Sequence, residues 1–265
     1  MPPRDASARV LELDPELGLR IPASEISRAR EELAAPVLEL DPGHWDVPHG
    51  DRSHGRLGFL VLDGLLARDM TLAGRTATEL LGDGDVVQPW LAQQREDALV
   101  PYRVGWHVLM PVRLAILDDA FTRRLAHWPQ VMSALLERAV RRTHRMSIHE
   151  ALLQLSPVET RLLVLFWHLA ERWGHVTPAG IAVRLRLPHA LLGQLVGCRR
   201  ASVTTALQHI YATGDLARRE DGTWLLKGDP PDEFVSVHWD TGASLTSHAG
   251  RSRVQVRDLR SQARS

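Results

Sequence analysis

Six side chains between residues 199 and 208 can do recognisable chemistry: Arg199, Arg200, Ser202, Thr204, Thr205 and Gln208. All are hydrogen-bonding types, two are cationic, and no carboxylate stands among them to repel a polyanion. Such a set suits the phosphates and base edges of double-stranded DNA, where arginine reaches guanine or phosphate and hydroxyls and amides reach either. The apolar residues around them say how they are held. Leu191, Leu192, Leu195 and Val196 form one stripe at helical spacing, and Val203, Leu207, Ile210 and Tyr211 form another. Gly197 falls between the two, where a chain leaving a helix needs positive φ. The pattern predicts a helix-turn-helix whose second helix presents the six polar residues to the major groove. An ordinary helical hairpin with solvated arginines fits the same residues.

Other candidate chemistry is thinner. His44, His49 and His54 lie in GHWDVPHGDRSHG. Imidazole is a common metal ligand, but this spacing is neither His-x-His nor a helical i, i+4 pair, and the flanking Gly and Pro mark a loop. A solvated hairpin is expected there. The same histidines are the only support for a cupin-like metalloenzyme fused to a DNA-binding domain. No P-loop, Gly-x-Ser-x-Gly or GxGxxG occurs in a convincing context. Cys198 is the single cysteine, so neither an internal disulfide nor a cysteine-ligated cluster can form within the chain. The expectation is a non-enzymatic protein with no catalytic residues, no metal site and no resident cofactor.

The stretch GQLVGCRRASVTTAL, Gly193 to Leu207, resembles the helix-turn-helix of the Crp–Fnr family of bacterial transcription regulators. The resemblance implies a homodimer with an N-terminal cyclic-nucleotide-binding-like β-roll, a long dimerising helix and a C-terminal winged helix. It also implies RNA polymerase as a partner. In family members that read TGTGA-type half-sites, a recognition-helix arginine is followed by glutamate, with a second arginine one turn on. Here the first is kept as Arg200, whereas Ala201 and Thr205 replace the other two. The nucleotide pocket departs further. Gly82-Asp83-Gly84-Asp85 resembles the turn before it, but Val86-Val87-Gln88-Pro89-Trp90 follows in place of a Phe-Gly-Glu element. Arg95 and Arg103 lack the setting of the phosphate-binding arginine. The expectation is loss of ordinary cyclic-nucleotide binding, leaving either an unknown effector or control by a protein partner with no small molecule.

Composition agrees with a soluble regulator. Hydrophobic residues make up 44% and charged residues 24% of 265, ordinary for a globular chain with one or two domains. No apolar run approaches the roughly 20 residues that span a bilayer, and the N-terminus has no secretory h-region; both point to the cytoplasm and away from a membrane. The zero net charge conceals a division. Residues 1–117 carry 12 Arg against 18 acids, while residues 118–228 carry 15 basic residues against 9 acids. The positive excess thus falls on the segment expected to meet DNA.

In chain order, residues 1–35 are expected to be a leader followed by a helix centred on 24–33 and ended by Pro36. Residues 36–117 hold short apolar runs separated by turn signals at Asp41-Pro42-Gly43, Asp63-Gly64, Ala73-Gly74 and residues 82–85, as in a small all-β sandwich or roll. Residues 118–154 are helical, with Asp118-Asp119 and Pro129 as start signals. Met132, Leu135, Leu136, Ala139, Val140, Met146, Leu152 and Leu153 form a stripe suited to a two-helix seam or to packing on the β-domain. The family resemblance favours the seam. Residues 155–228 are the winged helix-turn-helix: Ser156-Pro157-Val158-Glu159 predicts a capping box, and residues 214–226 predict a hairpin wing around Asp221-Gly222. Residues 229–265 are expected to be disordered. The fold class is therefore α+β: an antiparallel β-roll, a long dimerisation helix and a winged helix-turn-helix.

Overall fold

In the computed structural model, which describes residues 7–47, 57–92 and 99–230, the short apolar runs between 34 and 117 join one antiparallel sheet. His49, His54, Arg95 and the tail beyond residue 230 lie outside the described residues. The chain divides into two units, residues 1–148 and 149–265.

The first unit opens with β1 (Ser7–Arg9), α1 (Val10–Leu13), α2 (Ile26–Glu32), β2 (Ala34–Leu40) and β3 (Gly43–His44). It continues with β4 (Gly58–Leu72), β5 (Arg75–Leu81), β6 (Val86–Val87), β7 (Tyr102–Leu117), α3 (Asp119–Leu125) and α4 (Pro129–Leu153). The sheet order is β1-β2-β7-β4-β5, with β3 pairing β7 and β6 pairing β4. The long strands β4 and β7 run antiparallel from Gly58 opposite Leu117 to Leu72 opposite Tyr102.

Both faces of this sheet are buried where β4 and β7 are most apolar. Leu60, Ala115 and Leu117 face one core, while Phe59, Val61, Leu114 and Ile116 face another. That is the period-two alternation of a strand. A strand covered on both sides must be apolar at successive positions, which accounts for the unbroken Phe59-Leu60-Val61-Leu62 run.

Two expectations change here. Asp63-Gly64 is not a turn; it lies inside β4, where the register against β7 shifts on either side of Asp63. Gly64 adopts φ +98°, and a Cβ there would stand 2.0 Å from the Pro111 carbonyl oxygen. The glycine serves a bulge that bends the strand. The N-terminal segment is also no loose leader. Val10, Leu11 and Leu17 are fully buried in the first core beside Phe121 and Leu125. The helix there stops at Glu32, and Pro36 lies in β2, opposite Ser7 of the short strand β1.

The start signals at α3 and α4 act as expected. The Asp118 carboxylate accepts the Phe121 amide at 2.8 Å, and Pro129 is the first residue of α4. The arginines on α4 tie the helix to the sheet domain. Arg138, 9% exposed, makes a two-pronged pair with Asp14, with the Nη2–Oδ1 bond at 2.7 Å. Arg142 grips Glu79 at 2.7 and 2.8 Å, and Arg145 pairs with Asp85. Charge-assisted, bidentate bonds of this kind fix orientation as well as adding energy. Leu135 is buried beneath them, whereas Met132, Leu136, Val140 and Met146 remain exposed. None of the helices among the described residues is long and apolar enough to cross a membrane.

The second unit contains α5 (Val158–Trp173), β8 (Gly174–Thr177), β9 (Gly180–Val183), α6 (His189–Leu195), α7 (Arg200–Thr213), β10 (Leu216–Arg218) and β11 (Trp224–Leu226). Its four strands form an antiparallel sheet in the order β10-β11-β9-β8. The anticipated capping box does not form. Pro157, extended at φ −80° and ψ −171°, occupies the N-cap position itself, which leaves Ser156 outside the helix. Glu159 instead meets His209 Nδ1 at 2.9 Å, linking α5 to α7. The core of the unit is built on Trp224, fully buried, with its ring 4.7 Å from that of Phe166.

Candidate nucleic-acid interface

The two apolar stripes meet as the spacing requires. Leu191, Leu192, Leu195 and Val196 on α6, and Val203, Leu207 and Ile210 on α7, are buried. Tyr211 departs from the stripe and is 36% exposed. The connection is tight: the Val196 amide donates to the Leu192 carbonyl at 2.9 Å, Gly197 takes φ +66°, and the Cys198 amide returns to the Gly193 carbonyl at 2.9 Å. Arg199, extended at ψ 151°, caps α7, and Arg200 is its first residue. Burial pushes the Cys198 thiol above its ordinary pKa, which suits a structural turn residue and not a nucleophile.

Burying Val203, Ala206, Leu207 and Ile210 leaves the opposite side of α7 to solvent. Arg199, Arg200, Ser202, Thr205 and Gln208 are all exposed there. Thr204 is not part of this face. It is half-buried, its hydroxyl donates to the Arg200 carbonyl at 3.1 Å, and it contacts His189 Nδ1 at 3.0 Å. No carboxylate lies on α7 at all. The helix ends at Gly214, left-handed at φ +83°, whose amide satisfies the Ile210 and Tyr211 carbonyls at 3.2 Å.

The hairpin β10–β11 follows directly. Asp221 holds its tip by accepting the Thr223 amide at 2.9 Å, and that bond with the Thr223 hydroxyl keeps its carboxyl below the usual range. The Arg218 guanidinium stacks 5.6 Å from the centre of the Trp224 ring. Positive charge from Arg218 and Arg200 reaches His189 at the start of α6; burial and these two cations push its pKa down. His189 and Arg218 therefore join the electrostatic surroundings of α7. The helical and strand patterns gave no sign of either, because their proximity is made by the fold.

Val86 to Trp90, which stand where the resemblance puts the Phe-Gly-Glu element of a nucleotide pocket, lie in the first unit. Gln88 donates its side-chain amide to the Leu57 carbonyl at 3.0 Å, and the Trp90 ring lies 5.8 Å from that of Phe59. Arg103 is exposed on β7. His44 lies in β3, with Nε2 3.0 Å from Asp46 and its ring 5.2 Å from that of His107. No group of three or more His, Cys, Asp or Glu placed to hold a metal occurs among the described residues.

Solved structures share this architecture. A cyclic nucleotide-binding domain containing protein from Listeria monocytogenes matches with a TM-score of 0.61 at 13% identity, covering 82% of this chain and 98% of that one. A CooA variant from Carboxydothermus hydrogenoformans matches with a TM-score of 0.58 at 18% identity, covering 84% and 95%. The chain has the Crp–Fnr fold. A CRP-family transcriptional regulator from Thermus thermophilus carries the same fold at 18% identity and a TM-score of 0.53, covering 71% and 91%. No family model and no curated protein sequence matches the chain. Within the Crp–Fnr fold, a β-roll precedes the long helix α4, and the α6–α7 pair with its hairpin forms the C-terminal unit.

Proposed function

We propose that this chain is a DNA-binding transcription regulator of the Crp–Fnr type, working as a homodimer on a two-fold symmetric operator. The observation that carries the reading is the exposed face of α7: Arg199, Arg200, Ser202, Thr205 and Gln208 on one side of a carboxylate-free helix whose other side is buried. Such a helix can enter the major groove without electrostatic penalty, and Arg200, in its first turn, would read a base edge. Arg199, Arg218 and the amide end of α7 would meet phosphates. RNA polymerase is the partner through which binding would alter transcription.

The homodimer rests on α4. Met132, Leu136, Ala139, Thr143 and Met146 recur at alternating spacings of four and three and are exposed. That is the seam of a two-helix coiled coil, so the occupant is a second copy of the same helix. The test is selection of bound duplexes from a random pool by the full-length protein. Recovery of two-fold symmetric sites with half-sites about 34 Å apart supports the reading; failure to enrich any sequence overturns it.

A further inference from the structure

Arg199 and Arg200 stand three and two positions before Ser202, and this spacing occurs once in the chain. Adjacent arginines are found at 123–124, 141–142, 199–200 and 218–219. Two positions beyond these pairs stand Ala126, His144, Ser202 and Asp221, so only the third pair leads to a hydroxyl. Paired cations just before a hydroxyl form a charge pattern by which a kinase with an acidic cleft selects its substrate segment.

The structure sets Ser202 apart from its neighbouring hydroxyls on α7. The Thr204 hydroxyl donates to the Arg200 carbonyl at 3.1 Å, and the Thr205 hydroxyl to the Ala201 carbonyl at 3.4 Å. Ser202 is exposed, and its hydroxyl makes no hydrogen bond among the described residues. It is the third residue of α7, where the N-cap Arg199 gives the first turn no side-chain bond. A helix start held this loosely opens locally at small cost, as entry into a kinase cleft requires.

We propose that Ser202 is the phosphorylation site of a serine/threonine kinase that selects basic segments, and that the phosphate closes the nucleic-acid face of α7. In the transfer, Ser202 Oγ bonds to the γ-phosphorus of ATP while the bond from that phosphorus to the β–γ bridging oxygen breaks. ADP leaves, and the hydroxyl proton passes to the base of the kinase. The product suits its position. A phosphoserine carries a charge of about −1.5 to −2. It would lie in the first turn, the positive end, of a 14-residue helix without a carboxylate, with Arg199 and Arg200 available for charge-assisted bonds. The helix keeps its fold, while its two cations are neutralised and its surface becomes anionic toward a DNA backbone. That consequence rests on the DNA-binding reading; the modification itself does not.

The test treats the full chain with Mg·ATP and the catalytic subunit of cyclic-AMP-dependent protein kinase, a probe with an acidic cleft, and locates the phosphate by mass spectrometry. Ser202 takes up phosphate, replacing both arginines with glutamine slows the transfer at least tenfold, and replacing both with lysine restores most of it. Circular dichroism shows that each variant and the modified protein keep the fold. Binding to a fluorescent mixed-sequence duplex weakens at least tenfold on modification, and a phosphatase reverses the loss. No phosphate on Ser202, transfer indifferent to the two arginines, or modified protein that binds the duplex as tightly as before overturns the proposal. Unmodified protein that binds no duplex overturns the DNA-binding reading instead, and the mapped phosphate then decides the modification by itself.

Discussion

The Thr204 hydroxyl donates to the Arg200 carbonyl, so the 3.0 Å contact with His189 makes the imidazole the donor through Nδ1. This bond joins the start of α6 to the recognition helix and leaves Nε2 as the site where a proton adds. Burial and the cations Arg218 and Arg200 disfavour that proton in the free protein. For a group whose folded pKa is depressed, the stability it supports is complete above the ordinary histidine value of about 6.5 and is lost as pH falls through the lower folded value.

DNA phosphates would reverse the local charge and favour the same proton. Affinity for the operator should therefore rise more steeply from pH 8 to pH 6 for the unsubstituted protein than for His189→Gln, which keeps a donor for Thr204. Gel-shift titrations at the two pH values measure the difference. Identical pH dependence in both proteins would remove His189 from the interface.

Cyclic AMP and cyclic GMP should not bind with micromolar affinity. The first unit holds a cavity beneath α4 that has no carboxylate for the ribose hydroxyl, and Arg103 is exposed on β7 away from its lining. A buried ribose hydroxyl left unpaired costs more than its contacts return. Calorimetry that found a micromolar dissociation constant would overturn this expectation.

What the sequence revealed depended on the range of the interaction. Leu191 through Ile210 are spaced by helix geometry alone, and residues around them obeyed that spacing with Tyr211 as the exception. The turn at Ala73-Gly74 was legible from its glycine, which takes φ +73°, whereas the φ of +49° at Ala73 is not something an alanine announces. Asp63-Gly64 carried the same local signature yet serves a bulge, since pairing with β7 overrides the turn preference. Thr204 looked like its outward neighbours because its bond to His189 spans 15 residues. Arg68 and Glu79 face each other across the β4–β5 hairpin, 11 residues apart, whereas Arg142 reaches Glu79 across 63 residues by helix docking, which no local pattern announces.

Trp224 should tolerate one substitution and not another. It is fully buried against Phe166, and its indole Nε1 has no hydrogen-bond partner among the described residues. Trp224→Ala should cost about 3–5 kcal/mol through lost contacts and the cavity left behind. Trp224→Phe loses volume but also removes a buried, unpaired donor, and these effects oppose each other. Its cost should stay below about 1.5 kcal/mol. Urea denaturation of the two variants checks the order, which a larger loss in Trp224→Phe would contradict.

The seam on α4 is open to a direct test. Leu136 in the seam and Val140 beside it are 65% and 61% exposed, so replacing them with glutamate should change the stability of the folded chain by only about 0.5 kcal/mol each. Two copies of the helix would then bring like charges together where apolar side chains met. The Leu136→Glu, Val140→Glu variant should run as a monomer in light scattering with unchanged circular dichroism. A dimer that survives this pair of changes would place the interface elsewhere.

The last prediction separates the two arginines at the head of α7. Arg199 is the N-cap and Arg200 the first helical residue, and both are exposed. In the family's TGTGA-type readers the residue after the guanine-reading arginine is glutamate, the natural acceptor for the cytosine amino group. Ala201 offers only apolar contact, for example to a thymine methyl, and Thr205 replaces a second arginine. The operator should therefore differ from TGTGA while keeping one guanine per half-site. Arg200→Ala should cost about 1–3 kcal/mol on the preferred site and relax preference at that base pair. Arg199→Ala should weaken all sequences alike and reduce the salt dependence by about one phosphate contact. Binding-site selection with each variant distinguishes these outcomes: TGTGA half-sites from the unsubstituted protein, or an unchanged base preference in Arg200→Ala, would show that Arg200 does not read the operator in this way.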